Sequence, residues 1–306
     1  MRKTGVIHEL AKNRMLYAMT LPAVLFFLAM SYLPMAGMVV AFKNYRFDKG
    51  LFGSEWSGLE NFKFFFLSGK AWEITQNTLF YNALFIVSGL LLQMAIAIVI
   101  AELGGKYLKK MIQTSMLLPY FISWVIVGTM AYNLLNYEVG FINSLLGALG
   151  MKPVDFYGSP GYWPYILTFF NNWKGVGFGS LIYLAVIVGI DSHLHEAAQI
   201  DGANVLQRIR YIILPLLLPT TIILLLLAVG QIFRGNFDLF YQLIGNNGLL
   251  FAKTDVIDTY VFRSLIRSND IGMSAAAGFF QSVLCFAVIM IMNHVVKKIY
   301  PDYSLF

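Results

Sequence analysis

Several apolar runs in this 306-residue chain exceed the roughly 18 residues that span a bilayer, and that property restricts the fold more than any motif does. In hydrocarbon every backbone N–H and C=O must pair within the protein, which leaves only helices or closed barrels. The runs are too long and too continuous for barrel strands, which alternate over about ten residues. The expected fold is therefore all-α and polytopic. Only 12% of residues are charged, against about one quarter in a soluble domain, and mean hydropathy is +0.67.

Six spans are read, over 16–42, 77–103, 112–136, 164–190, 214–234 and 272–296. The first follows a basic leader with Arg2, Lys3, Lys12 and Arg14. Its apolar run is too long for a signal-peptide core and no small-x-small cleavage site follows, so it reads as an uncleaved helix, with Pro22 and Pro34 as sites of kinking. Neither an internal repeat nor a low-complexity segment is evident. Basic residues crowd the leader and the short segments at Lys106, Lys109 and Lys110, at Arg208 and Arg210, and at Lys297 and Lys298. The alternate segments hold nearly as many, spread over much longer loops. The positive-inside rule weighs short loops most, so both termini are expected in the cytoplasm of a bacterial cytoplasmic membrane. The net charge of +6 then reflects membrane orientation and not nucleic-acid binding. Loops 43–76, 137–163 and 235–271 fall outside. The first is rich in rings (Trp56, Phe62, Phe64, Phe65, Phe66, Trp72) that suit the membrane interface. Cys285 stands alone, which excludes an intrachain disulfide and a thiolate metal site.

Residues 191–213 fall between spans four and five, on the cytoplasmic side. Asp191 and Ser192 suit a helix N-cap. Leu194, Ala197, Ala198 and Ala203 give a small apolar face, and Asp201-Gly202 is a turn signal. Leu214-Pro215 then opens span five, where proline is tolerated in a first helical turn. The expectation is a short surface helix, a bend and re-entry. His193 and His195 stand two residues apart, about 200° around a helix, which is unsuited to holding one metal ion. The composition of this segment fits an ordinary amphipathic loop equally well.

The order of residues separates the two. Glu196-Ala197-Ala198, three residues, Gly202, nine residues, then Ile212-x-Leu214-Pro215 resembles the EAA signature of bacterial ABC importer permeases. Residues 77–298 look like that family's five-span core. Asp201-Gly202-Ala203 and the extra N-terminal span resemble its carbohydrate-importer branch. Phe42-Lys43-Asn44-Tyr45, Gly58-Leu59-Glu60-Asn61-Phe62 and Asp255-Val256-Ile257-Asp258-Thr259-Tyr260-Val261 are similar to the polysaccharide and lipoprotein-dependent sugar permeases. His195 departs from the aromatic that many relatives carry before the Glu. The resemblance implies six transmembrane helices with a cytoplasmic coupling helix. It divides the chain into leader, first helix and outer loop (1–76), permease core with coupling loop 191–213 (77–298), and cytoplasmic tail (299–306). It also implies that Glu196, Ala197, Ala198, Asp201, Gly202 and Ala203 meet a cytoplasmic ATPase dimer, which carries the ATP and Mg. A second permease, most often a different chain, and an extracellular or periplasmic solute-binding protein would complete the assembly.

Polar side chains at membrane depth are costly and tend to face a pathway or another helix. Asn171, Asn172, Trp173 and Lys174 in span four, with Gln231, Asn236 and Asp238 near the end of span five, offer amides, an acid and an aromatic face suited to a sugar. Interhelical hydrogen bonding would use the same residues. Lys174 suits an acidic substrate, a pair with Asp238, or snorkelling. The glycines at 175, 177 and 179 permit close helix packing. No Gly-x-Ser-x-Gly, His-Glu-x-x-His or phosphate-cradling loop is present, so the chain reads as a transport subunit without catalytic residues. The alternative is a secondary active solute transporter. Such proteins carry intramembrane carboxylates and often repeats, whereas Glu102 and Asp238 lie near span ends.

Overall fold

The computed structural model describes residues 12–67 and 69–299, the side chains of Phe64 and Ile299 excepted. Arg2 and Lys3 of the leader, and the tail beyond Ile299, lie outside the described residues. Along the chain, α1 (Arg14–Phe42) is followed by a two-strand ribbon, β1 (Lys43–Asn44) and β2 (Glu55–Trp56), then α2 (Glu60–Leu67) and α3 (Lys70–Glu102). Next come α4 (Lys106–Phe121), α5 (Trp124–Leu135), α6 (Phe141–Ala148), α7 (Trp163–Val188) and the short α8 (Ser192–Ile200). The last part holds α9 (Val205–Val229), α10 (Phe237–Ile244), α11 (Phe251–Thr254), α12 (Ile257–Ile266) and α13 (Ile271–Ile299).

Among the described residues, α1, α3, α9 and α13 are each long and apolar enough to cross a membrane. Counting the bent pairs α4–α5 and α7–α8 as one span each gives six. Three spans differ from the expectation. The third is not straight: α4 and α5 meet at 94°. Pro119 lacks the N–H that would continue the ladder, and Ser123 restarts it by accepting a bond from Val125 N–H at 3.3 Å. The second begins at Lys70, ahead of the boundary placed at 77. The fifth begins at Val205 and ends at Val229, so Gln231 lies in the turn beyond it. Pro215 stands in the first turn of the α-helical stretch Leu214–Val229, where its missing N–H is tolerated, although the span itself starts earlier at Val205. The π-turn Ile209–Ile213 just before it already departs from the regular ladder, and the helix continues through the proline.

In α1 the ladder widens to a π-turn at Leu28–Tyr32 and tightens to 3-10 over Leu33–Phe42, flanking Pro34. Only Val40 and Ala41 of this helix are buried. It is fixed at one end, where the Phe42 ring meets Trp56, Phe62 and Phe279, and Asn61 Nδ2 donates to the carbonyls of Ala41 (2.9 Å) and Lys43 (3.0 Å). The ring-rich loop splits. Trp56, Phe66 and Trp72 are exposed, but Phe65 is fully buried against Ala71, Ile74, Ile257 and Tyr260. Burial of Phe65 corrects its placement at an interface. A run of aromatics does not say which ring the following helix will cover.

The bundle is organised around α3 and α7. At the α8 end, Ala97, Ile98 and Ile100 pack on Tyr183, Leu184, Ile187, Ile213 and Leu217. At the opposite end, Tyr81, Phe85, Val127, Ala131, Trp163, Leu167 and Phe170 close over α10. In lipid such packing depends on close fit more than on escape from water. Gly177 shows the fit: a Cβ there would run into the Met116 carbonyl of α4.

Candidate functional site: a self-capped helix and the lined cavities of the bundle

The α8 segment is built from local bonds. Asp191 Oδ1 accepts His193 N–H at 3.0 Å and caps the start. At the other end Ala203 N–H reaches the Ala198 carbonyl (2.8 Å) and Gly202 N–H the Gln199 carbonyl (3.1 Å), with Gly202 at φ +73°. This is the Schellman closure, and it asks for glycine where the chain turns left-handed. One residue on, Asn204 and Gln207 form a reciprocal capping box (2.8 and 2.9 Å) that opens α9. The Asn-x-x-Gln spacing is a sequence signal of this helix start, ahead of the span boundary expected at 214.

With its polar ends satisfied, α8 buries no residue. Glu196, Ala197, Asp201 and Gly202 are exposed, and Ala198 and Ala203 are partly covered. Leu194, Ile200 (87% exposed), Val205 and Leu206 present apolar surface beside them. His193 Nδ1 stands 3.8 Å from Glu196 Oε2. His195 faces the other way, into a cavity of about 350 Å³ between α8 and the bundle, shared with Glu102, Lys109, Gln113, Gln199 and Arg208. Across that cavity Arg208 donates to Glu102 at 2.8 Å, and the two side chains are 17% and 23% exposed. This pair ties the first turn of α9 to the last residue of α3. Nothing in the spacing of 102 and 208 announces it. No three His, Cys, Asp or Glu side chains converge to suit a metal among the described residues.

The polar residues expected along the passage are brought to three places. Asn172 and Trp173 line a cavity of about 900 Å³ between α3, α4 and α7, whose walls are mostly apolar groups such as Phe80, Leu84, Met116 and Phe169, with Ser115 and Thr168 among them. Asn172 Nδ2 donates to Ser88 Oγ at 2.9 Å, while its Oδ1 is buried without a hydrogen-bond partner. Asn171, its neighbour in α7, does not line that cavity. Lys174 and Asp238 line a second cavity of about 500 Å³ with Trp124 and Gln242, but form no ion pair. Instead Lys174 Nζ donates to the carbonyls of Pro119 (3.3 Å), Tyr120 (2.6 Å) and Ile122 (2.5 Å), with the rings of Tyr120 and Trp124 within 5.6 Å. Breaking a helix inside a membrane strands carbonyls at its C-terminus, and a cation is the fitting partner for them. All three ammonium donors are thereby used. Gln231 and Asn236 lie in the connection after α9, where Asn236 Oδ1 caps α10 by accepting Leu239 N–H at 3.2 Å.

The connection from α9 to α13 is tied down elsewhere. Asp258 Oδ2 accepts from Gly235 N–H (2.6 Å) and Gln281 Nε2 (2.9 Å), and burial raises its pKa against the lowering effect of those bonds. Asp255, 2% exposed, pairs with Arg263 and accepts from Thr259 Oγ1 at 2.8 Å. Asn77 Nδ2 donates to the Asp255 carbonyl (3.1 Å), and Ile257 N–H donates to Thr78 Oγ1 (3.0 Å). The Asp255–Val261 phrase noted in the sequence is thus the place where the connection meets α3.

Comparison with known proteins agrees with this architecture. Residues 93–300 match the family model described as binding-protein-dependent transport system inner membrane component. Protein LplB of Bacillus subtilis is 31% identical over 94% of this chain and 90% of its own. The polygalacturonan/rhamnogalacturonan transport system permease protein YteP of the same organism is 30% identical over 97% and 92%. A crystal structure of a bacterial ABC transporter involved in the import of the acidic polysaccharide alginate has a similar chain, with TM-score 0.86, 32% identity, and coverage of 95% of this chain and 98% of that one. The chain belongs to the binding-protein-dependent inner-membrane transport components, as a permease subunit of an ABC importer.

Proposed function

We propose that α8 is the coupling helix through which a cytoplasmic ATPase drives this permease, with both termini in the cytoplasm. The chain is a permease subunit for a sugar or oligosaccharide, and it is not an enzyme. The observation that carries the coupling reading is an exposed helix closed by its own caps and joined directly to α7 and α9, the latter pinned to α3 by the Arg208–Glu102 pair. A partner that moves α8 then moves α7, α9 and α3 together. Glu196, Ala197, Ala198, Asp201, Gly202 and Ala203 form the contact surface or set its shape. Coupling requires that nucleotide state favour one membrane conformation over the other, and a rigid joint transmits that bias without absorbing it in bending.

The domains proposed with it are the leader, first helix and outer loop (1–76), the permease core with coupling loop 191–213 (77–298) and a cytoplasmic tail (299–306). ATP and Mg belong to the ATPase dimer. A second permease completes the passage and a solute-binding protein delivers the cargo. An alginate transporter solved with its alginate pentasaccharide-bound periplasmic protein has the same fold at TM-score 0.86 and supports this assembly. The names of the relatives, polygalacturonan/rhamnogalacturonan and alginate, favour a glycan carrying carboxylates. Along the passage Asn172 and Trp173 are the residues best placed to meet sugar, since both line the cavity of about 900 Å³ between α3, α4 and α7. Asn171, Gln231, Asn236 and Asp238 would contribute at its margins, and Lys174 shapes it by holding the α4–α5 break.

Uptake in vesicles containing the full transporter tests this. Glu196→Ala and Gly202→Ala should cut import several-fold while ATP hydrolysis continues, and Asn172→Ala should lower import without changing complex assembly. Import that proceeds without ATP or partner subunits would favour the secondary-transporter alternative.

A further inference from the structure

Two exposed side chains with free hydrogen-bond donors, Asn246 and Arg267, stand together away from the spans, between α10 and α12. A cavity of about 160 Å³ lies there, walled by Tyr241, Asn246, Phe262, Arg263 and Arg267. A cavity of about 150 Å³ accommodates one six-membered ring. Two features set it apart from the lined cavities described above.

Its cations are divided in role. Arg263 is held by Asp255 and lies over the Phe251 ring, with its guanidinium carbon 4.1 Å from the centroid. It is pre-positioned, and its charge is offset. Arg267, one turn later at the end of α12, is exposed, and its guanidinium makes no hydrogen bond among the described residues. Asn246 is likewise exposed with an unused carboxamide. The lining carries two arginines and one aspartate, which leaves an uncompensated positive charge.

Its wall is aromatic and rigid. Tyr241 stacks on Phe237 at 5.1 Å with an interplanar angle of 16°, and Phe262 packs edge-on against Tyr241 at 5.1 Å. A pyranose offers an apolar C–H face and polar edges. A uronate adds a planar carboxylate that a guanidinium can grip with two parallel bonds. Lys174, the basic residue within the spans, has spent its donors on backbone carbonyls and cannot serve this purpose.

We propose that this cleft is a sugar subsite that reads the carboxylate of an acidic glycan, with Arg267 as the carboxylate ligand, Asn246 on the ring hydroxyls, and Tyr241 and Phe262 against the ring face. It rests on the reading of the chain as an acidic-glycan permease. On the proposed orientation it lies at the extracytoplasmic mouth, where cargo arrives before entering the spans.

The test uses the assembled transporter, without its solute-binding protein, and two probes: trigalacturonate and a neutral galactose trisaccharide. Binding is followed by saturation-transfer NMR, and import is measured separately in vesicles with the binding protein present. Wild type should bind trigalacturonate, Arg267→Gln should weaken that binding about tenfold, and the neutral probe should be indifferent to the change. Tyr241→Ala should weaken binding of both. Arg267 is exposed and unbonded, so its replacement leaves folding intact. Equal binding of trigalacturonate by wild type and Arg267→Gln overturns the proposal, even where import shows that the permease reading stands. So does an effect of Arg267→Gln seen only as weaker docking of the binding protein, which would make the cleft a protein contact. If the assembly imports no glycan at all, the permease reading fails in the import arm, and the binding arm still decides the subsite.

Discussion

The two segments that flank α9 connect helices by opposite means. The α8 segment is closed by bonds between near neighbours, Asp191 to His193, Gly202 to Gln199, Asn204 to Gln207, and it buries nothing of its helix. The segment from Gly235 to Asp270 is closed by bonds across the chain, from Asn77 and Thr78 of α3 and Gln281 of α13, and its α10 is part of the main core. A locally closed helix keeps its shape whatever touches it, which is what a docking element requires. A connection fixed by distant partners keeps its position instead, which is what a cleft for a ligand requires.

The largest effect is expected from unpairing the buried charges inside the anchored segment. Asp255→Ala leaves the largely covered Arg263 guanidinium with only the rings of Phe251 and Tyr260, and should destabilise the protein by about 3 kcal/mol in thermal unfolding of the detergent-purified chain. Gly202→Ala should cost about 1 kcal/mol, because an added Cβ meets nothing in space and only the left-handed backbone is strained. The two should diverge in function: the alanine at 202 loses import with ATP hydrolysis retained, while the alanine at 255 loses the assembled protein. Asn204→Ala removes one side of the capping box and should cost about 1 kcal/mol, read in the same unfolding experiment.

The smallest effect concerns pH. Burial raises the Asp258 pKa above the ordinary carboxylate value, so the folded state holds that proton more tightly than the unfolded one. Stability from this group is fully present below the unfolded value and is lost as pH rises through the folded value. Asp258→Asn removes the titration. Its stability relative to wild type should therefore improve as pH is raised through that window, and a constant difference would show that Asp258 does not titrate there.

Much of the joint was legible because it is local. Asp191 as a cap, the Asp201-Gly202 turn and the bend before span five follow from neighbouring residues, and the resemblance to the EAA signature rests on the same twenty positions. The substrate side was less legible because it is not local. The role of Lys174 stays open between an acidic substrate, Asp238 and snorkelling, since no sequence pattern shows that the helix breaks between Pro119 and Ser123 and turns backbone carbonyls towards it. Arg267 and Asn246 carry no signal of a site in the sequence, because isolated polar residues in a long loop are ordinary until the fold sets them around one cavity.

A helical, membrane-spanning fold and the capped start and glycine turn of the joint are written in the sequence, because hydrophobic length and backbone capping act over a few turns of chain. Only the tertiary structure decided which polar groups are spent and which are free. That depends on whether a donor meets a backbone carbonyl, an acid or open space, and those partners stand as far apart in the chain as Lys174 from Tyr120 and Asp258 from Gly235.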